Sequence, residues 1–198
     1  MKDQRLSKLL TAIHVGLLSS IPDAVRKLHI KAPAYCLFIW YQDLSVDEYA
    51  PELGLAPVEL RDACLSGKHR EKLANDPVAS IWLPQQSIVR PFPGFPFPKH
   101  VCENVAAEAN ECYSILTAGH EYPPGVDDEG PLLMPFRAAL HLVARKLNAY
   151  DWSGILPRSE DFVVLAADYI GYWLDEDMAA SIPEEQLDAL RSRGLLPS

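Results

Sequence analysis

The chain has 198 residues, 48% of them hydrophobic, enough for a single domain that removes roughly 70% of its unfolded surface from water. Its 27 acidic residues outnumber the 18 basic ones, giving a formal net charge of -9. That balance argues against nucleic acid and anionic membrane surfaces as partners, because both need a basic stripe.

Asp3 to Ser19 reads as a helix, with Leu6, Leu9, Leu10, Ile13 and Leu17 on one stripe. Ser20-Ile21-Pro22-Asp23 restarts the chain, and Asp23 to Leu28 reads as a second, short helix with Pro22 in its first turn. Ala34 to Gln42, AYCLFIWYQ, is nearly continuous in apolar and aromatic residues, the pattern of a buried strand. Asp43 to Leu55 reads as loop, with Gly54 at a turn or helix end, and Ala56 to Ser66 as a helix. Val78 to Leu83, VASIWL, reads as a third, short strand. In Arg90 to Pro98, RPFPGFPFP, the prolines forbid a helix and a central strand, so it should be extended with a bend at Gly94.

Lys99 to Leu116 reads as a long helix, and His120 to Gly130 as a polar Pro/Gly loop. Leu132 to Tyr150 is a second long helix, with Phe136, Leu140, Val143 and Leu147 on one stripe. Asp161 to Leu174, DFVVLAADYIGYWL, is the longest β-prone apolar run and the stretch around which the chain is organised; its strand core, Phe162 to Ala167, should pair with Ala34 to Gln42. Asp175 to Ala180 opens a short helix with three acids at its N-terminus. Ser181 followed by Glu184 fits a capping box for one more helix, with Leu187 and Leu190 inward and Gly194 at its end. The whole reads as one α+β domain over residues 1–198, a small, mainly antiparallel sheet covered by amphipathic helices.

No catalytic signature stands out. His120-Glu121 lacks the second histidine of a helical zinc motif, since Pro124 occupies that place. Asp127, Asp128 and Glu129 are consecutive rather than alternating, as a hard-cation loop would have them. Phosphate-cradling glycine loops and G-x-S-x-G are absent from the sequence. No metal, cofactor or catalytic residue is therefore expected. His14 and His141, beside apolar helix stripes, read as structural histidines, and Cys36 and Cys112 as core residues. With no C-x-x-C pair, no signal peptide and no apolar run of about 20 residues, the expected compartment is the cytoplasm.

The charge is uneven. From Arg158 onward, nine acids (Glu160, Asp161, Asp168, Asp175, Glu176, Asp177, Glu184, Glu185, Asp188) face three bases (Arg158, Arg191, Arg193), so this stretch carries two thirds of the net charge. Tyr172 and Trp173 directly precede Asp175, Glu176 and Asp177. Aromatic side chains beside acids suit an interface with a basic protein, and these five residues are the expected contacts.

The runs SEDFVVLAADY and LDEDMAASIPEEQLDALRSRGLLP resemble the closing segment of an uncharacterised bacterial protein family of unknown function. There, a D-D-F-V-V-x-A-x-D strand is followed by an acidic turn, a short helix and an x-S-x-P-x-E-x-L helix. AYCLFIWYQD resembles that family's first strand, whereas the Pro/Phe segment has no counterpart. Similar families sit beside polymorphic toxins and resemble immunity proteins. The resemblance implies a binding protein that neutralises a toxin by occlusion, and the acidic C-terminal region would oppose a basic toxin surface. The alternative is an enzyme whose site assembles from distant residues around the His120 to Glu129 loop. A third role is a structural subunit joined through the phenylalanines of the Pro/Phe segment.

Overall fold

A computed structural model describes residues 2–41, 51–66, 77–82, 95–96, 133–168 and 171–196. In chain order the elements are α1 (Lys2–Lys27), β1 (Ala34–Tyr41), β2 (Glu52–Pro57), α2 (Val58–Leu65), α3 (Pro77–Trp82), β3 (Phe95–Pro96), α4 (Leu133–Asn148), β4 (Arg158–Asp168), α5 (Leu174–Ser181) and α6 (Glu184–Ser192). The fold is α+β. The described helices surround a mixed sheet of order β3-β2-β1-β4, in which β3 is only two residues long.

β1 is the central strand, and all eight of its residues are buried. This is why its sequence is a continuous apolar run instead of an alternating one: both faces of the strand are covered. Leu37, Ile39 and Tyr41 join Val164 and Ala166 in a core closed by α1 and α4. Cys36, Phe38 and Trp40 join Val163, Leu165 and Ala167 in a second core closed by α2, α3, α5 and α6. The expected partnership of β1 with Phe162 to Ala167 is present, from Cys36 opposite Val163 to Tyr41 opposite Asp168. It is parallel, however. The β1–β2 and β2–β3 pairings are antiparallel, so the sheet is mixed, and its longest pairing runs against the expected majority.

Several local expectations give way to tertiary packing. α1 does not break at Pro22; the proline lies inside one helix. Ile21 and Val25 extend the fully buried line of Ile13 and Leu17. At about 1.5–3 kcal/mol for each buried aliphatic side chain, those two residues offset the ~3 kcal/mol an internal proline costs. Val78 to Leu83 is not a strand: α3 begins at Pro77, a residue suited to the first helical turn. Two long-range bonds anchor it, from Tyr35 Oη to the Ile81 carbonyl and from Trp82 Nε1 to the Leu195 carbonyl at 2.7 Å.

Gly54 is not at a turn either. It sits within β2, under the Trp40 ring of the neighbouring strand, where a Cβ would lie 2.3 Å from ring carbon. The helix expected from Ala56 starts at Val58, because Ala56 and Pro57 still belong to the strand. Likewise Ser181 caps nothing: it closes α5, Pro183 takes the N-cap of α6, and the Ser181 hydroxyl is bonded to β4. Leu187, Leu190 and Leu195 are buried as expected, and Gly194 ends α6 with φ +68°. The Lys99 to Leu116 helix and most of the Pro/Phe segment lie outside the described residues; Phe95 and Pro96 pair at the outer side of β2, an edge position that proline tolerates.

Candidate functional site

Parallel pairing brings the carboxyl ends of β1 and β4 side by side, at Tyr41 and Asp168. The first of these side chains meets two residues of α4, Arg137 and His141, which are four apart and therefore share a helix face. From the other side α5 contributes Asp177, which is 0% exposed.

The carboxylate of Asp177 is the hub. Its Oδ1 accepts from Tyr41 Oη at 2.7 Å, Arg137 Nη2 at 2.8 Å and His141 Nε2 at 2.8 Å. Its Oδ2 accepts the backbone N–H of Asp168 at 3.0 Å and lies 2.9 Å from Tyr41 Oη. Arg137 Nε donates to Tyr41 Oη at 2.7 Å, so guanidinium, phenol and carboxylate form a closed ring of bonds. The guanidinium also lies 4.3 Å from the Trp173 ring centroid and 3.6 Å from exposed Glu176 Oε2.

Burial opposes ionisation of Asp177, but the donors of His141, Arg137, Tyr41 and Asp168 outweigh it and hold the carboxyl below the usual aspartate range. Burial, and then the Asp177 charge, push the Tyr41 phenol far above its ordinary value, so it stays protonated and donates. Burial works against the Arg137 charge too, and again Asp177 reverses the balance. Both carboxylate oxygens are engaged by donors already in the fold. Chemically the group is built to hold α5 against α4 and the two strand ends, not to collect a proton from a substrate.

The five expected contact residues divide. Tyr172 is 76% exposed, the most exposed of the large hydrophobic residues among those described. Gly171, at φ +74°, makes the turn that presents it, and the Tyr172 N–H donates to Asp168 Oδ2 at 3.1 Å. Its ring meets Trp173 edge-on, with centroids 5.2 Å apart. Trp173 is half-buried, clamped from beneath by Arg137, while Asp175 and Glu176 are exposed on the first turn of α5. Asp177 is the correction. An acid in the first turn of a helix usually faces water, but this one points inward and cannot meet a partner.

Comparison with protein-family models, with characterised proteins and with solved structures gives no match. The functional reading rests on the geometry.

Sequence reasoning missed Tyr41 and Arg137 altogether and read His141 only as a satisfied helix residue. The available signal was on α4. Arg137, His141 and Asn148 interleave with Phe136, Leu140 and Leu147, placing polar groups on a face that is otherwise core. His120, Glu121 and Asp127 to Glu129, the basis of the enzyme alternative, lie outside the described residues. Among the described residues no three His, Cys, Asp or Glu side chains are grouped to hold a metal ion, and no helix is long and apolar enough to cross a membrane.

Proposed function

We propose that this chain is a cytoplasmic binding protein that recognises a basic protein surface through the outer side of the Tyr172–Glu176 segment. In this reading it acts as an immunity protein does, by covering a toxin's working surface. The observation that carries the reading is Tyr172: a large aromatic side chain, three quarters exposed, on a turn that hydrogen bonds fix at both strand and helix. A rigid exposed aromatic residue loses little entropy on binding and is a common anchor of protein interfaces. Asp175 and Glu176 beside it would steer a basic partner.

The inward network supports the same reading. It fixes α5 from within, so the outer residues are presented in one arrangement.

The test is a pull-down with the product of the adjoining gene. Wild-type chain should retain it at micromolar concentration, and Asp175→Lys with Glu176→Lys should lose most of it. No retention by the wild type, or equal retention by the charge-reversed variant, overturns the reading.

A further inference from the structure

Among the described residues, β4 is the outermost strand on its side of the sheet. An outermost strand exposes the N–H and C=O groups of alternate residues, here Val164, Ala166 and Asp168. All three N–H groups are taken by side chains. Asn148 Oδ1 accepts from Val164 at 2.7 Å, Ser181 Oγ from Ala166 at 3.2 Å, and Asp177 Oδ2 from Asp168 at 3.0 Å. Two carbonyls are matched as well: Asn148 Nδ2 donates to Val164 O at 2.8 Å, and the Ser181 hydroxyl lies 3.3 Å from Ala166 O.

The side-chain chemistry follows what the strand presents. Asn148 offers an amide donor and acceptor to one residue, as the backbone of a neighbouring strand would. A hydroxyl can both accept and donate. The carboxylate only accepts, and it meets an N–H. The donors and acceptors come from α4 and from two positions of α5 four residues apart, Asp177 and Ser181, which share a face.

We infer that Asn148, Asp177 and Ser181 form an edge guard: they fill the hydrogen-bonding positions of an absent strand and keep β4 from adding a strand of a second copy of this chain. The sequence of β4 makes such a guard necessary. Phe162 to Ala167, FVVLAA, is apolar, uncharged and free of proline and glycine, the composition that pairs edge to edge when bared. The inference does not depend on the identity of any partner.

Asn148→Ala with Ser181→Ala tests it, leaving Asp177 in place because it also holds Arg137. The probe is a labelled synthetic peptide of residues 162–168, FVVLAAD, with sedimentation velocity run across a concentration range. The double variant should self-associate as concentration rises and bind the peptide about tenfold or more tightly than the wild type does. A folded double variant that keeps the wild-type mass at every concentration and gains no affinity for the peptide overturns the inference, as does equally tight peptide binding by the wild type. Should the double variant not fold, Ser181→Ala alone, which removes only the two longest bonds, decides on the same peptide readout, gain supporting the guard and no gain refuting it.

Discussion

Replacing Asp177 by alanine should be among the most damaging single changes in the chain. The substitution removes the acceptor of Arg137 Nη2, Tyr41 Oη, His141 Nε2 and the Asp168 N–H at once. Arg137 is only 4% exposed, so its charge would be left buried without its main partner. Leaving one member of a buried ion pair behind costs about 3–5 kcal/mol. For a chain of this size each kcal/mol moves the melting temperature by roughly 2–4 °C, so Asp177→Ala should melt roughly 6–20 °C below wild type. Urea unfolding followed by tryptophan fluorescence measures the loss, and Asp175→Ala, one helix position pair away and exposed, should stay within about 0.5 kcal/mol of wild type. Asp177→Leu combined with Arg137→Met should recover much of the stability, because it removes the stranded charge as well as its partner. A loss below about 1 kcal/mol for Asp177→Ala would refute the account of α5 as held by this carboxylate.

Further expectations concern pH, packing and surface. The Asp177 carboxyl has a lowered folded-state pKa, so its contribution to stability is present above the unfolded aspartate value of about 3.9 and is lost as pH falls through the folded value. Asp177→Asn should therefore flatten the acid limb of a stability-against-pH curve, and an unchanged limb would contradict this. Tyr41 has the opposite sign: its raised pKa gives stability that is full below the unfolded tyrosine value of about 10 and declines as pH climbs above it. Tyr41→Phe should reduce that alkaline decline. Gly54→Ala forces the Trp40 ring to move and should cost about 1–3 kcal/mol in urea unfolding; a neutral result would mean the ring is free to swing away.

The sequence made the two buried strands legible because covering both faces of a strand leaves an unbroken apolar run, and β1 and Phe162 to Ala167 both have one. Their relative direction was not legible, since hydropathy carries no sign for parallel or antiparallel pairing. α3 was misread because Val78, Ile81 and Trp82 are β-formers, while the bonds from Tyr35 and to Leu195 that fix its helix come from far along the chain. Ser181 and Glu184 satisfy a local capping pattern, but the open edge of β4 competes for the same hydroxyl and takes it. Asp177 looked like its neighbours Asp175 and Glu176. Donors from distant parts of the chain, Tyr41 at the end of β1 and Arg137 and His141 on a helix that precedes β4, make it an interior residue. Tyr172 shares its aromatic composition with the buried strands, and only the turn at Gly171, φ +74°, turns its ring out to water beside exposed Asp175 and Glu176.

Calorimetric titration of the adjoining gene's product into wild-type and Tyr172→Ala chains, at low and high salt, bears most directly on the proposed role. The account predicts micromolar or tighter binding to the wild type, weakened by salt, and about tenfold or greater loss on removing the Tyr172 ring with the unfolding midpoint unchanged. Equal affinity of the two chains would contradict it.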